Sequence, residues 1–389
     1  MSARPLIMVS AGEASGDQHA AHALKELKQR GVEFDAFGMG AGDLLEVGVD
    51  IQVDCRELAV IGLVEVLKNL PALYKRLFFL VEQIKRRKPD LIVLVDYPEF
   101  NLKLAWWVRK LNIPILFYIS PQVWAWRTNR VHKIGKRIDH MAVIFPFEVP
   151  FYTNANIPVT YVGHPLIDSA HCEWDKPTAR QKLSLNLTNP LVALVPGSRN
   201  GELHRNLPVM LGAASELLKT LPTTEFVLPC APTLEKSEIE ALVTESGLNI
   251  TMIDGQICPV LRAADAAITA SGTATLETAL MGTPMAIMYR VNELTYKIMS
   301  RMIQIDDIGL VNIVATRRVV QEFIQHDATP EAIAEEMNKI LTNEPYRAKM
   351  RENLEEVKNA MGDGGASGKV AGLIQQMLQT APIPNKTPS

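Results

Sequence analysis

The chain contains 389 residues, of which 47% are hydrophobic and 21% are charged. This balance is typical of globular domains and excludes a disordered chain, and at roughly 100–200 residues per domain the length suits two domains. The formal net charge of −3 argues against nucleic acid as a partner, because nucleic-acid-binding proteins usually carry a large basic excess. The 4 cysteines are widely spaced without a C-x-x-C pair, which favours reduced thiols over a zinc ribbon.

The N-terminus begins with the pattern of a buried strand at residues 6–9, which does not fit a secretory signal peptide. No uninterrupted stretch of about 20 apolar residues occurs, so we predict no transmembrane helix. We therefore expect a protein of the cytoplasm.

Short apolar runs alternate with helical patterns in the first half of the chain. Strands are predicted at residues 6–9, 34–37, 91–95, 114–119, 141–145 and 159–162, and the first helix at about 17–30. The glycine-rich run 38–43 resembles a dinucleotide fingerprint, but Asp43 stands where its third glycine belongs, and we predict a loop.

A polar stretch from about residue 169 to 190 interrupts the pattern, and the second half repeats it. Strands are predicted at 191–195, 225–228, 250–253, 266–269 and 285–289, and the chain from about 293 to 379 is predicted to be helical. The predicted parts are an N-terminal domain (1–170), a C-terminal domain (171–345), C-terminal helices (346–380) and a disordered tail (381–389). We expect the C-terminal helices to pack on the N-terminal domain or to be exchanged in a dimer.

Alternating strands and helices predict an α/β fold of two doubly wound, Rossmann-like domains that face a cleft. Ligands of such sheets bind at the carboxyl ends of the strands. The polar motifs of this sequence follow predicted strands, so we expect one active site between the two domains.

Two motifs of the second half are suited to a sugar nucleotide diphosphate. Gly197, Ser198 and Arg199 follow a buried strand, and Ser271, Gly272 and Thr273 open a helix that carries Glu277. Backbone N–H groups at a helix N-terminus bind phosphate oxygens, and arginine can donate to two of them at once. A glutamate can accept hydrogen bonds from sugar hydroxyls, and main-chain groups near Gln256 are candidates to hold the uracil.

Two motifs of the first half carry carboxylates. Gly12 and Glu13 follow the first strand, where Ser15 or Asp17 could instead serve only to cap the next helix. Asp96 follows the most apolar strand, and we favour a role as the base over a capping role. The sequence leaves open whether Asp96 or Glu13 is the base that removes a proton from a sugar hydroxyl.

The segment from residue 58 to 88 has a wide apolar surface with basic residues interleaved and following it. Such a surface suits an anionic membrane, although a buried helix or a dimer contact would also explain it. The predicted membrane-contact residues are Leu63, Val66, Leu67, Leu70, Leu73, Leu77 and Phe78. The histidines show no metal-ligand spacing, and we predict neither a bound metal nor a cofactor.

Several collinear motifs resemble the bacterial lipid-A-disaccharide synthase family, which are inverting glycosyltransferases of the GT-B type. The resemblance extends to about residue 379. It rests on residues 11–17, 58–67, 120–127, 163–165, 196–199 and 270–277 and on Asn312. It implies a metal-independent enzyme that joins UDP-2,3-diacylglucosamine to 2,3-diacylglucosamine 1-phosphate (lipid X) and releases UDP.

The resemblance also implies roles for individual residues. The essential aspartate of the family corresponds to Asp96 and its essential arginine to Arg199, while its UDP contacts correspond to Ser271, Gly272, Thr273, Glu277 and Asn312. The segment after residue 58 corresponds to the region that associates with the inner membrane, and family members often form homodimers. Two other interpretations stay open: an enzyme like UDP-N-acetylglucosamine 2-epimerase, and a non-catalytic membrane protein that binds sugar nucleotides or lipids.

Overall fold

The computed structural model of the chain describes residues 4–58, 63–123, 130–293, 296–297 and 307–380, and for residues 57–58 and 63–69 it describes the backbone alone. The chain divides into two compact units. The first unit contains the chain up to Pro165 and again from Gly364, and the second extends from Leu166 to Asp363. The division after Pro165 lies close to the predicted boundary at residue 170.

The first unit is built on a sheet of seven strands. These are β1 (Leu6–Ala11), β2 (Asp35–Gly40), β3 (Asp50–Asp54), β4 (Leu91–Val95), β5 (Ile115–Tyr118), β6 (His140–Val143) and β7 (Val159–Tyr161). All neighbouring strands are parallel, in the order β3-β2-β1-β4-β5-β6-β7. The chain winds from β1 to one edge and returns to the centre at β4, so the order reverses between β1 and β4, where ligands of doubly wound sheets bind.

Helices connect these strands. They are α1 (Ala14–Gln29), α2 (Gly42–Glu46), α3 (Leu63–Arg87), α4 (Pro98–Val108), α5 (Arg130–Gly135) and α6 (Val149–Thr153), with single 3-10 turns at Cys55–Leu58, Arg109–Leu111 and Pro146–Glu148. Every residue of β4 is buried, as expected for a parallel strand with both faces covered. The continuous apolar pattern of this strand is therefore explained by its central place in the sheet.

The second unit repeats the same winding with six parallel strands. They are β8 (Leu191–Val195), β9 (Glu225–Cys230), β10 (Ile250–Asp254), β11 (Ala266–Ala270), β12 (Met285–Tyr289) and β13 (Glu322–Ile324). The order is β10-β9-β8-β11-β12-β13, so β8 and β11 take the central places that β1 and β4 take in the first unit. The predicted fold class, two doubly wound α/β units, is confirmed.

The helices of the second unit include a long one after β8. They are α7 (Leu166–Ser169), α8 (Lys176–Lys182), α9 (Asn200–Thr220), α10 (Lys236–Ser246), α11 (Ile257–Ala263), α12 (Thr273–Leu280), α13 (Leu310–Ala315), α14 (Pro330–Thr342) and α15 (Glu344–Ala360). The last helix, α16 (Ala366–Thr380), belongs to the first unit and packs on α1, where Arg30 Nη2 donates to Gly368 O at 2.7 Å. The predicted C-terminal helices are thus divided between the two units.

Some predictions of local structure are wrong. The run 38–43, predicted as a loop, contains the end of β2 and the start of α2, because Phe37 and Met39 are buried and pair with Met8 and Ser10 of β1. Strands β3 and β13 were not predicted. Both lie at sheet edges, where the continuous apolar pattern of a buried strand is absent.

No helix among the described residues is long and apolar enough to span a membrane. The predicted disordered tail at 381–389 lies outside the described residues.

Candidate functional site

The two carboxylate motifs of the first unit lie side by side at the carboxyl ends of β1 and β4. Ala11 pairs with Val95 in the sheet, so Gly12 and Glu13 leave β1 beside Asp96 and Tyr97, which leave β4. A Cβ atom on Gly12 would lie 2.1 Å from Tyr97 Cδ1, and only glycine permits this close packing. The tertiary structure thus brings together two acids that are far apart in the sequence.

Asp96 has the electrostatic environment of a base that works near neutral pH. Burial, followed by the negative charge of Glu13, raises the pKa of Asp96 to about 6. A general base is most effective when its pKa lies near the working pH. Glu13 itself is exposed, so Asp96 is the better candidate for the base and Glu13 for the group that sets its pKa.

The backbone at this end of the sheet is strained. Asp96 and Tyr97 are both left-handed, with φ of +49° and +46°, and Ile119 after the neighbouring strand β5 has φ of +68°. Residues other than glycine rarely adopt this conformation, which costs about 1–3 kcal/mol each and is concentrated at functional sites. Three such residues at the ends of adjacent strands mark this edge as the candidate active site of the first unit.

The capping interpretation of the first motif is wrong. Glu13 occupies the N-cap position of α1 without a side-chain hydrogen bond, and neither Ser15 nor Asp17 caps this helix. Instead the buried Asp17 accepts the N–H groups of Ala41 and Asp43 at 2.6 and 2.9 Å, and so holds the start of α2. Glu13 is left without a structural role as a cap, which favours its assignment to the site.

Two histidines of the first unit are held neutral. Burial and the nearby His22 lower the pKa of His19 to about 4, and burial and His19 lower that of His164 to about 3.

Among the described residues, no group of three His, Cys, Asp or Glu side chains is arranged to hold a metal ion.

The loop after β8 in the second unit presents hydrogen-bond donors. Gly197 has φ of +114°, and the exposed Arg199 stands at the N-cap position of α9. The carboxylate of Glu202 folds back onto this loop, where it accepts the N–H of Ser198 at 3.2 Å and lies 3.4 Å from Arg199 Nη1. The Ser198 N–H and Arg199 thus already face one carboxylate, that of Glu202. The same donors are suited to an anionic ligand.

The neighbouring strand β11 ends in the second predicted nucleotide motif. Gly272 is the N-cap residue of α12, no side chain caps this helix, and the space beside the Gly272 Cα is open. Burial raises the pKa of Glu277 on the same helix. Ser271 Oγ donates to the carbonyl of Ile308 at 3.0 Å, so its hydroxyl hydrogen is already used within the unit. The open helix N-terminus is the part that is suited to phosphate oxygens.

The remaining two predicted nucleotide contacts differ from each other. Gln256 is exposed and left-handed (φ +50°) at the start of α11. Asn312 is buried, and its amide nitrogen donates to Val320 O and to Glu322 while its oxygen accepts the N–H groups of residues 319 and 320. These bonds occupy the Asn312 amide within the second unit, and contact of this residue with UDP stays a prediction.

Comparison with known proteins identifies the family of this chain. The family model described as lipid-A-disaccharide synthetase matches residues 7–369. The chain belongs to the lipid-A-disaccharide synthase family. Named lipid-A-disaccharide synthases from Geobacter sulfurreducens and Myxococcus xanthus are 44% identical over 372 residues and 39% identical over 378 residues, and the alignments cover 96% and 97% of this chain and 97% and 99% of those proteins.

Solved structures show the same fold at much lower identity. UDP-N-acetylglucosamine 2-epimerase from Neisseria meningitidis, bound to UDP-N-acetylglucosamine, superposes with a TM-score of 0.61 at 14% identity over 96% of this chain and 99% of that one. MurG from Acinetobacter baumannii gives a TM-score of 0.55 at 18% identity over 96% and 100%. The resemblance stated from the motifs is confirmed, the chain is an enzyme of this family, and the epimerases share its fold alone.

The predicted membrane-contact residues of this family member fall into three groups. The prediction for Leu77 is wrong, because this side chain is buried in the core of the first unit. The side chain of Phe78 is 42% exposed, as membrane contact requires. Leu70 and Leu73 are half-buried. The side chains of Leu63, Val66 and Leu67 lie outside the described residues, as does the tryptophan-rich part of the 120–127 motif from residue 124 onward.

The structure shows an aromatic surface that the sequence analysis missed. Phe78 of α3 packs edge-on against Trp107 of α4, with ring centroids 5.1 Å apart, and Tyr74 and Trp106 extend the group on either side. All four side chains are at least 40% exposed. The sequence carried a signal for this surface at residues 103–110. Two tryptophans lie there between two lysines, at helical spacing.

Glu202 and Asn101 were also missed. Glu202 lies three residues after Arg199, at the distance at which side chains on a helix meet. Asn101 is a fully buried amide on the apolar face of α4, and a polar residue at such a position indicates a hydrogen-bonding role.

Proposed function

We propose that this chain condenses UDP-2,3-diacylglucosamine with 2,3-diacylglucosamine 1-phosphate to give a β-1′,6-linked disaccharide 1-phosphate and UDP. The family supports this reaction, and the paired carboxylates at the ends of β1 and β4 carry the proposal. Asp96 takes the proton from the 6-hydroxyl of the acceptor. The oxygen then attacks the anomeric carbon of the donor from the face opposite UDP, which inverts the configuration.

Glu13 tunes this step by its charge. An aspartate with an ordinary pKa near 4 would be a weak base toward a sugar hydroxyl. The burial of Asp96, and after it the negative charge of Glu13, make the Asp96 carboxylate more basic. The raised pKa is therefore an adaptation to the proton transfer.

The second unit supplies the donors for the departing UDP. Negative charge grows on the diphosphate as the glycosidic bond breaks, and donors fixed in advance stabilise it best. Arg199, the N–H of Ser198 and the N-terminus of α12 at Gly272 and Thr273 are assigned to this task. Glu277 accepts hydrogen bonds from the ribose hydroxyls, and the main chain near Gln256 holds the uracil.

A product assay tests the reaction directly. Detergent-solubilised protein is incubated with both acylated sugars in the presence of EDTA, and products are measured by mass spectrometry. We expect a disaccharide 1-phosphate with one UDP per disaccharide. Absence of product without added metal, together with product after Mg²⁺ is restored, would contradict the assignment of the diphosphate to Arg199 and the helix N-terminus.

We also propose that the aromatic surface formed by Tyr74, Phe78, Trp106 and Trp107 contacts an anionic membrane. Aromatic rings are favoured at the interface of a bilayer, and basic side chains add attraction to anionic lipids. Lys103 of α4 lies over the ring of Tyr74 at 5.1 Å, Lys75 is exposed on α3, and Lys110 is exposed in the 3-10 turn that follows α4. Such a contact would bring the enzyme to the acyl chains of both substrates.

Vesicle sedimentation tests this contact. Trp106→Ser should reduce binding to vesicles that contain anionic phospholipid, by roughly 3- to 10-fold, because one ring is lost from the interface. Leu45→Ser is the matched control, since Leu45 is an equally exposed apolar residue of the same unit on α2. Equal losses from the two variants would contradict the proposed surface.

A further inference from the structure

The buried side chain of Asn101 joins the ends of the two central strands of the first unit. Asn101 is 0% exposed. Its Nδ2 donates to Asp96 O at 2.8 Å, and is 3.2 Å from both Ser10 O and Val95 O. Its Oδ1 accepts the hydroxyl of Ser10 at 2.6 Å. One amide therefore holds the main chain of β1 and β4 at the points where Glu13 and Asp96 follow.

The main chain of Asp96 is held from both sides. Its N–H donates to Tyr118 O of β5 at 2.9 Å, and its carbonyl accepts the Asn101 amide. Asp96 and Tyr97 are both left-handed, and a conformation of this kind persists only where the surrounding structure imposes it. Tyr97, as the N-cap residue of α4, makes no side-chain capping bond. The Asn101 bond to the Asp96 carbonyl is thus the side-chain contact that opposes relaxation of this turn.

We propose that Asn101 is a positioning residue, which fixes the main chain of Asp96 so that its carboxylate stays beside Glu13 in the geometry required for proton transfer. The inference rests on the proposed role of Asp96 as the base. Asn101 is five residues after Asp96 and lies beneath the turn, so it acts through the backbone of Asp96 and not on the substrate.

A purely structural role for Asn101 makes a different prediction. If the amide only stabilised the first unit, its loss would lower the melting temperature and leave the properties of Asp96 unchanged. Loss of positioning instead lets the carboxylate move toward water and away from Glu13. Its pKa would then fall from about 6 toward the ordinary aspartate value.

The charged groups around Asp96 support a simple reading of the pH dependence. From β1 the facing group is Glu13, while Asp17 on α1 is bonded to residues 41 and 43. On α4, Glu99 pairs with Arg130, and Tyr97 is the next residue along the chain. A shift in the acid limb of activity in the Asn101 variant therefore reports on Asp96 and its distance from Glu13.

The test compares Asn101→Ala with Ser10→Ala in the full chain. Ser10→Ala removes the 2.6 Å bond from the same buried network but leaves the Asn101 amide on Asp96 O, so it is the matched control for stability. For Asn101→Ala we expect kcat to fall on the order of 10²-fold, as displacement of a catalytic group by about 1 Å does. We expect the acid limb of kcat/KM to move about one unit to lower pH. Ser10→Ala should keep both values near wild type.

The melting temperature verifies that each variant is folded, and UDP affinity should stay unchanged because the proposed nucleotide groups lie in the other unit. If Asn101→Ala does not fold, Asn101→Gln keeps the amide but displaces it by one methylene, and the same loss of kcat and shift of the limb are expected. An unshifted limb in the folded variant, or an equal fall in kcat for Ser10→Ala, would overturn the inference. Retained turnover in Asp96→Asn would instead overturn the proposed base, whatever the Asn101 variants show.

Discussion

The two units of this chain share one winding and carry opposite chemistry at the same place. In the first unit the central strands β1 and β4 end in the carboxylates Glu13 and Asp96. In the second unit the corresponding strands β8 and β11 end in donors: Ser198 and Arg199 after one, Gly272 and the N-terminus of α12 after the other. The sheet provides the position, and the few residues after each strand decide whether carboxylates or hydrogen-bond donors stand there.

Each unit has a buried asparagine that bonds to the main chain at the ends of two strands. In the second unit Asn206 Nδ2 donates to Pro196 O at 2.9 Å, and its Oδ1 accepts the N–H of Arg290 at 3.2 Å. This amide joins the loop after β8 to the end of β12, as Asn101 joins β1 to β4. The loops that differ in charge are therefore supported in a similar way.

The largest expected effect is that of Asp96→Asn. The amide cannot accept the proton, so turnover should fall by about 10²- to 10⁴-fold, the range of general base catalysis. UDP affinity should not change, because the nucleotide donors lie in the second unit. Single-turnover product formation and calorimetric UDP binding measure the two properties, and a large loss of UDP affinity would assign Asp96 to binding.

Arg199→Ala should instead weaken UDP binding, the property that Asp96→Asn leaves unchanged. Hydrogen bonds to a charged group contribute about 1.5–3 kcal/mol, which corresponds to roughly 10- to 150-fold in affinity. The control is Arg317→Ala, which removes an exposed arginine paired with Glu356 elsewhere in the same unit. Unchanged UDP affinity in Arg199→Ala would exclude this residue from the diphosphate site.

Glu13→Gln should change the pH dependence of kcat/KM more than it changes the maximal rate. The base must be deprotonated, so kcat/KM should fall below pH of about 6 in the wild type. Removal of the negative charge lowers the pKa of Asp96, and the acid limb should move to lower pH by up to about one unit. Glu99→Gln, the removal of an exposed acid that pairs with Arg130, should leave the limb in place. A limb that does not move would show that Glu13 does not set the pKa of Asp96.

Glu202→Gln should give the smallest effect, a tighter binding of UDP. The Glu202 carboxylate lies at the Ser198 N–H and near Arg199, so the incoming diphosphate must compete with it. Neutralising this anion should raise UDP affinity roughly 3- to 10-fold at low salt, with less gain at high salt because the repulsion is screened. Weaker binding would mean that Glu202 organises the donor loop.

The central elements were predictable because burial leaves a strong pattern. Leu91–Val95 and Leu191–Val195 are continuous apolar runs, and the structure places both at the centres of parallel sheets. Edge strands β3 and β13 lack this pattern and were missed. Leu77 and Phe78 show the limit for helices, since adjacent residues of one apolar segment lie in the core and at the surface, respectively.

The candidate site was predictable only in its residue types. Asp96, Glu13 and Arg199 stand where strands end, and that position is visible in the sequence. The buried bonds between Asn312 and the turn at residues 319–320 were not predicted, because spacing does not reveal such a contact. Asn101 and Glu202 left only local signals, a polar residue on an apolar helix face and a spacing of three residues from Arg199, and their partners depend on the fold.

The sequence by itself determined the fold class, the family and the chemical groups available, because periodicity and local motifs depend on neighbours along the chain. The tertiary structure decided which groups meet. Burial and the approach of Glu13, across more than eighty residues, raise the pKa of Asp96, and both depend on positions in space. It also decided that Asp17 holds a neighbouring helix and that Asn101 holds the turn of the proposed base, because hydrogen bonds form between atoms that the fold brings together.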